Sequence, residues 1–410
     1  MLRARTAAAV GALSVSLAAL GTGSALASVR SPGATRHPAA GVTGADATEA
    51  EPITASATAW SITAGSSRSA ASAPSECAAT PTSLTPVSWV APTAPSTRPA
   101  APPPAPGLRL VAEVPLPGPA NRFDYQSLDP ATGRLYLSHM NAGRLVVFDV
   151  ASNRVVQEVA DLPRVTGVWA VPAHHRVYAS AAGAHEVAVI DDRTLAVVAR
   201  IGGIDFPDGI TYAPEADKVF VSDEHGNADV VIDARTLRKR ATIPLGGQVG
   251  NTHYDAVSHC VLVAAQARNE IVAIDPATER VVAHYAVSGV EGPHGFTLDE
   301  AGRRAFVTGE GNAALAVVDL RTMRVVQRLT VAADPDVLAW DASWARLYVA
   351  SESGVLSTFW ATGDTLHALG ELHAPHAHTV SVDPRTHRVY LPLENIGGRP
   401  VLRVLAPNGP

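Results

Sequence analysis

The sequence predicts an all-β fold, a seven-bladed β-propeller, and two observations carry this prediction. One turn residue recurs every 42 residues, with a single step of 44, at Pro130, Pro172, Pro214, Ala256, Glu300, Ala342 and Pro384. Each unit except the shorter last one reads as four short strands, and none has the apolar spacing of a helix. Four strands in about 40–45 residues are typical of a propeller blade, so seven units predict seven blades.

The strands and turns of a unit differ in composition. In the third unit the predicted strands cover 209–212, 218–222, 229–232 and 240–244, and β-branched residues dominate them. Asp-x-x-Thr turns follow the third strand of several units, as in Asp233 to Thr236. An Asp side chain there accepts hydrogen bonds from backbone N–H groups two residues on, so we interpret these Asp residues as structural.

The last unit, 379–410, has room for only three strands. The segment 108–117 is strand-like and has no partner of its own. We expect it to complete the last blade and remove an exposed sheet edge. The propeller domain is therefore predicted to span 107–410.

The repeat resembles that of the YncE-like, YVTN-repeat propellers. The resemblance rests on a strand motif, found at Leu135-Tyr-Leu-Ser, Val177-Tyr-Ala-Ser, Val219-Phe-Val-Ser, Ala305-Phe-Val-Thr and Leu347-Tyr-Val-Ala. Shorter matches add to it, at Arg122-Phe-Asp-Tyr125, Pro207-Asp-Gly209, Pro293-His-Gly295 and Tyr390-Leu-Pro392. The resemblance implies an extracytoplasmic propeller, but it does not imply one reaction.

The first 106 residues predict export and a linker. Residues 1–27 have a charged start, a short apolar run and a small-x-small cleavage site, as in a cleaved secretory signal peptide. Residues 28–106 are rich in Ala, Ser, Thr and Pro and predict a disordered linker. We expect the mature protein to be secreted or periplasmic, with no transmembrane segment. Cys260 is predicted to be a core residue and Cys77 a free or intermolecular thiol, so no bond between them is expected.

Composition excludes several classes of function. The 410 residues carry a net charge of −6, which argues against a generally basic nucleic-acid binder. Two cysteines cannot form a disulfide scaffold. The motifs of serine hydrolases, P-loop enzymes and zinc proteases are absent from the sequence. Because each blade of a closed ring contacts its neighbours, a monomer is expected.

Candidate functional residues gather on one side of the predicted ring. The positions six residues before the aligned turn residues should lie at equal height around one mouth of the channel, and we name them the strand-start positions. They are Asp124, Thr166, Asp208, Gly250, His294, Asp336 and His378. Blades five, six, seven and one are consecutive in a closed ring. They place His294, Asp336, His378 and Asp124 in one arc, which suits a divalent metal site and equally suits an acid–base pair with shifted pKa values.

Further polar residues extend this prediction. The loop between the second and third strands opens on the same face, and it carries Glu310, Glu352 and Glu394 in the last three blades. We predict a ligand-binding set of Asp124, Tyr125, Asp208, His253, Asp336, Glu310, Glu352 and Glu394. His294 and His378 are the candidate catalytic residues, because a histidine in such a site can act as a general base.

Three functions remain open at this point. The first is a binding module for a small molecule, a glycan or an envelope protein. The second is a lyase or hydrolase that depends on a divalent metal ion as cofactor. Nucleic-acid binding ranks third, because the predicted mouth is acidic. A purely structural role for the arc is a fourth interpretation, since polar residues at strand starts also satisfy backbone groups.

Overall fold

A computed structural model of the chain describes Cys77 and residues 107–409. These residues form seven four-stranded antiparallel sheets arranged as the blades of a propeller, which confirms the predicted all-β, seven-bladed fold. No helix within this described part has the length and apolar character needed to cross a membrane.

The first six blades each use four consecutive strands. Blades one and two contain β2 (Gln126–Asp129), β3 (Arg134–His139), β4 (Arg144–Asp149), β5 (Arg154–Val159), β6 (Val165–Val171), β7 (Arg176–Ala181), β8 (Glu186–Asp191) and β9 (Val197–Gly202). Blades three and four contain β10 (Pro207–Ala213), β11 (Lys218–Asp223), β12 (Ala228–Asp233), β13 (Arg238–Pro244), β14 (Thr252–Asp255), β15 (Cys260–Ala265), β16 (Glu270–Asp275) and β17 (Arg280–Ala286). Blades five and six contain β18 (Pro293–Asp299), β19 (Arg304–Gly309), β20 (Ala314–Asp319), β21 (Arg324–Thr330), β22 (Pro335–Asp341), β23 (Arg346–Ser351), β24 (Val355–Thr362) and β25 (Thr365–His373).

The seventh blade combines strands from both ends of the domain. Its sheet has the order β1 (Leu108–Pro115), β28 (Arg399–Pro407), β27 (Arg388–Ile396) and β26 (Ser381–Asp383). β1 pairs antiparallel with β28, with Leu108 opposite Pro407 and Pro115 opposite Val401. Within residues 107–409, four short 3-10 helices lie in the loops, at Met140–Ala142, Pro172–His174, Ala182–Ala184 and Gln266–Arg268.

The core lies between neighbouring blades. Every residue of the second strands β11, β15, β19 and β23 is buried, whereas the outer strand β21 alternates between exposed and half-buried residues. Tyr178 of blade two, for example, packs in one cluster with Val219 and Val230 of blade three. Each fully buried apolar side chain of this size contributes about 1.5–3 kcal/mol, so packing between blades stabilises the ring.

The turn aspartates have the predicted structural role. Asp233 Oδ1 accepts hydrogen bonds from the backbone N–H groups of Arg235 and Thr236, at 3.1 and 2.7 Å. Asp129 holds the equivalent turn between the first two strands of blade one, where its Oδ1 accepts from Ala131 N at 2.8 Å. These carboxylates therefore satisfy backbone donors and lie away from the candidate site.

The cysteines correct one prediction. Cys77 and Cys260 form a disulfide bond, with their Cα atoms 5.2 Å apart and a sequence separation of 183. Cys260 is a core residue as expected, but Cys77 is buried in the same cluster, between blades four and five. The prediction was wrong because about 30 residues can span up to roughly 100 Å, so the spacing of Cys77 from the propeller did not exclude the bond.

Glycines let consecutive blades approach each other at the mouth. A Cβ atom on Gly295, which follows the strand-start residue of blade five, would lie 1.6 Å from the backbone oxygen of Asp336. A Cβ atom on Gly167 would lie 1.9 Å from the backbone oxygen of Asp208. Only glycine leaves room for this backbone contact, and the contact fixes the spacing between neighbouring strand-start residues.

Substituting Gly295→Ala tests this spacing. We expect the free energy of unfolding to fall by about 1–3 kcal/mol, because the added methyl group forces blades five and six apart. The matched control is Gly202→Ala, where the new Cβ atom would lie no closer than 3.9 Å to its nearest neighbour. Denaturant titration of both variants measures the effect, and equal stabilities would contradict the argument.

The disulfide makes a second prediction. Replacing Cys77 with Ser should lower the free energy of unfolding by about 2–4 kcal/mol, because the bond restricts the unfolded chain. Reducing agent should then lower the stability of the wild type and leave that of the variant unchanged. Thiol alkylation of the non-reduced protein followed by peptide mapping checks the bond itself. Labelling of both cysteines would show that it does not form.

Candidate functional site

The first strand of each blade lines the central channel, and the strand-start residues surround one mouth of it. The channel cavity has a volume of about 850 Å³. A second cavity of about 440 Å³ lies at the mouth. Its lining includes five strand-start residues with ionisable side chains, from blades one, three, five, six and seven. They are Asp124, Asp208, His294, Asp336 and His378.

His378 joins blades six, seven and one. Its Nε2 atom lies 2.9 Å from Asp124 Oδ1 and 3.0 Å from Asp336 Oδ2. Its Nδ1 atom lies 2.8 Å from Glu352 Oε1. The imidazole is 3% exposed, so its charge is compensated almost wholly by these three carboxylates.

Arg122 completes this group, and the sequence analysis did not select it. Its Nη2 atom lies 2.9 Å from Glu352 Oε1 and 3.1 Å from His378 Nε2. The guanidinium therefore occupies the space beside the imidazole. A signal for it was present, because Arg122 precedes Asp124 by two residues in the motif Arg122-Phe-Asp-Tyr125.

His294 forms the other half of the arc. Its Nε2 atom lies 3.4 Å from Asp336 Oδ1, and its Nδ1 atom lies 3.8 Å from Glu310 Oε1. The side-chain amide of Gln266 also contacts Nδ1. The structure thus brings together all four residues of the predicted arc, with Asp336 between the two histidines.

Tyr125 extends the site toward blades three and four. Its hydroxyl donates a hydrogen bond to Asp208 Oδ2 at 3.0 Å and lies 3.5 Å from His294 Nε2. It also contacts the side-chain oxygen of Asn251, a residue that the sequence analysis missed. Asn251 occupies the position in blade four that Tyr125 occupies in blade one, so the repeat alignment held the signal for it.

Burial and neighbouring charges shift the pKa values of these groups. Burial alone would lower the pKa of His294, but the charges of Asp336 and Glu310 outweigh it and raise this pKa to about 9. Burial, together with the nearby charge of Asp124, raises the pKa of Asp208 to about 8. At neutral pH the site therefore holds a charged His294 and a protonated Asp208.

The two residues that link the arc shift in opposite directions. Burial would raise the pKa of Asp336, but the charges of His378 and His294 hold it well below its usual range. Burial would likewise lower the pKa of His378, but Asp336 and Asp124 raise it well above its usual range. Asp336 is thus ionised and His378 protonated, and the two form a buried ion pair.

Three predicted ligand-binding residues are not part of the lining of the mouth cavity, namely Glu352, which contacts His378, and the more distant His253 and Glu394. His253 lies on β14 in the channel, with ring centroids 4.7 Å from Phe296 and 6.2 Å from Trp169, and burial lowers its pKa to about 4. Glu394 lies within β27, which continues to Ile396, whereas the corresponding strands of blades five and six end before Glu310 and Glu352. The longer strand keeps Glu394 out of the loop position that the alignment gave it.

Two overlapping groups in the described residues have the composition of a metal site. One consists of His294, Glu310 and Asp336, and the other of Asp336, Glu352 and His378. In each group the atoms able to bind a metal ion lie within 4.8 Å of one another. Imidazole and carboxylate ligands suit Zn²⁺, Mn²⁺ or Fe²⁺.

Comparisons with known proteins support the fold. No protein-family model matches the chain, and no curated protein matches it. Among solved structures, a chain of the hydrazine synthase of Kuenenia stuttgartiensis superposes with a TM-score of 0.59 and 17% sequence identity. The match covers 70% of this chain and 96% of that one. At this identity the similarity shows the propeller fold alone, and the YncE-like resemblance stays a prediction.

His139 lies close to the mouth in sequence but packs as a core residue. Its ring stacks on Phe123 with centroids 4.0 Å apart, and it is fully buried. Burial, with the nearby charge of Arg144, lowers its pKa to about 4.

This shift predicts loss of stability in acid. Between pH 6.5 and 4 the unfolded chain binds a proton at His139 that the folded chain does not, so the free energy of unfolding falls by up to about 1.4 kcal/mol per pH unit. His139→Phe should flatten this part of the pH–stability profile, whereas the exposed control His185→Phe should not. Denaturant titrations from pH 4 to 7 measure the slopes, and parallel profiles would refute the assignment.

Proposed function

We propose that this protein is an exported propeller that binds a small polar molecule at the mouth of its channel. The cavity of about 440 Å³ carries the proposal, because five buried ionisable residues from different blades line it. Burying charged groups costs free energy, and a cluster of them in a cavity is typical of a binding site. A purely structural ring would not need histidines and carboxylates gathered on one side. On the opposite side of the mouth, the strand-start positions on either side of Asp208 are the uncharged Thr166 and Gly250.

Two independent features support export. The N-terminal 27 residues have the pattern of a secretory signal peptide. The Cys77–Cys260 disulfide suits an oxidising compartment, because cytosolic thiols are kept reduced. We therefore propose a secreted or periplasmic location, where the ligand is a small molecule, or part of a glycan or an envelope protein.

A metal-dependent lyase or hydrolase is the second candidate function. The two histidine–carboxylate groups that share Asp336 favour it. A divalent ion held there would supply a Lewis acid that stabilises an enolate or oxyanion. Tyr125 would donate a hydrogen bond at the same place, because its hydroxyl lies 3.5 Å from His294 Nε2.

The charges of the mouth give nucleic-acid binding the lowest rank. Among the described residues, the cavity lining mixes the acidic Asp124, Asp336, Glu224 and Glu310 with Arg122, Arg164 and three histidines, and it lacks the cluster of lysines and arginines that binds phosphate groups.

The double variant His294→Ala/His378→Ala tests both candidates. The melting temperature of the full chain is measured with small polar molecules and divalent ions. One set of samples is first treated with a chelator, and a second set is not. A ligand at 100 times its Kd stabilises the folded state by about 2.7 kcal/mol, so binding is readily detected. Ligands of the wild type should fail to stabilise the double variant but should stabilise the control Glu394→Gln.

The pattern of results separates the two functions. Stabilisation by a small molecule that survives chelation supports binding without a metal. Loss of the stabilisation by a small molecule on chelation supports the metal-dependent function. Equal stabilisation of the wild type and the double variant would place the ligand elsewhere and overturn the proposal.

A further inference from the structure

The two halves of the arc differ in one respect that decides where a cation can bind. We propose that a first-row divalent metal ion binds to His294, Glu310 and Asp336, which we name the His294 half. The His378 half, formed by Arg122, Glu352 and His378, is then a structural ion-pair network that holds no metal. This inference rests on the second candidate function, and it assigns the metal to three residues in place of the predicted arc of four.

The His378 half already contains a positive charge. The Arg122 guanidinium lies 3.1 Å from His378 Nε2 and 2.9 Å from Glu352 Oε1. A metal ion bound to these two residues would stand within a few ångströms of that guanidinium, and like charges at such distances repel strongly. Both ring nitrogens of His378 face carboxylates, and Arg122 Nη2 pairs with Glu352, so the charges of this half are compensated without a metal.

The His294 half has the opposite properties. Asp336 Oδ1 is buried and has no hydrogen-bond partner in the described part of the chain, although it points toward His294 Nε2 at 3.4 Å. A buried carboxylate oxygen without a partner is costly, and a cation would satisfy it. This unpartnered oxygen is the observation that distinguishes a ligand site from a mere cluster of acids.

Access to the cavity points the same way. His294, Glu310 and Asp336 all line the mouth cavity, whereas Glu352 does not. An ion bound to one imidazole and two carboxylates keeps coordination positions free, and these would face the cavity. A small molecule in the cavity could therefore bind the ion directly.

The repeat explains the difference between the halves. Two residues before the strand-start position of blade one stands Arg122, whose guanidinium contacts His378. The corresponding residue of blade six is Asp334, which is exposed and is not part of the lining of the mouth cavity. This position therefore supplies a guanidinium to the His378 half and no cation to the His294 half.

Two glutamates at equivalent positions give a matched pair of variants. Glu310 and Glu352 have side chains that are 45% and 40% exposed, so Glu310→Gln and Glu352→Gln should both fold. We titrate the full chain with Co²⁺, whose visible absorption reports coordination by imidazole and carboxylate. We expect about one equivalent to bind to the wild type, with at least 10-fold weaker binding to Glu310→Gln and unchanged binding to Glu352→Gln.

The control readout is stability without metal. Glu352→Gln should lower the melting temperature of the chelated protein more than Glu310→Gln does, because it breaks contacts to both His378 and Arg122. If Glu310→Gln does not fold, His294→Gln replaces it, and the expected loss of Co²⁺ binding is the same.

Three results would overturn the assignment. Weaker Co²⁺ binding by Glu352→Gln than by Glu310→Gln would place the ion in the His378 half. Binding of two equivalents would show that both halves hold metal. Absence of binding by the wild type would exclude the metal site, while leaving the proposed small-molecule binding to be judged by ligand stabilisation of the chelated protein.

Discussion

Backbone contact between consecutive blades at the mouth is the constraint on which the candidate site depends. The backbone N–H of Asn251 donates to the carbonyl of His294 at 3.1 Å, and the Thr166 hydroxyl donates to the carbonyl of Pro207 at 2.8 Å. Such contacts set a small and fixed radius for the ring of strand-start residues. Side chains as far apart in sequence as Asp124 and His378, 254 residues, therefore meet within hydrogen-bond distance.

This geometry forces charged groups into a buried place, and their mutual compensation makes the arrangement stable. An isolated buried ion costs several kcal/mol, but a pair with good geometry recovers most of that cost. His378 pairs with carboxylates of blades six and one, while β1 and β28 pair at the outer edge of blade seven. The two ends of the domain are therefore joined both at the channel and at the rim, by ion pairs inside and by a strand outside.

The repeat made the fold and the arc predictable, because equivalent positions in equivalent blades occupy equivalent places. Features that break the repeat were not predictable in this way. Arg122 matters through its contact with the last blade, which no single unit reveals. Glu394 was misplaced because β27 is longer than its counterparts. The Cys77–Cys260 bond depends on the path of a polar segment without periodicity, and sequence spacing alone does not determine such a path.

Function in a repeat protein of this kind arises from differences between units. Seven near-identical blades supply a rigid frame, and a substitution in one blade changes the chemistry without changing the frame. Here the same His–Asp pair occurs twice around Asp336, and the neighbour that the next blade provides decides its role. Beside Arg122 the pair is neutralised internally and stabilises the ring. Beside His294, Asp336 Oδ1 is buried without a hydrogen-bond partner among the described residues, and the proposed metal ion would satisfy this oxygen.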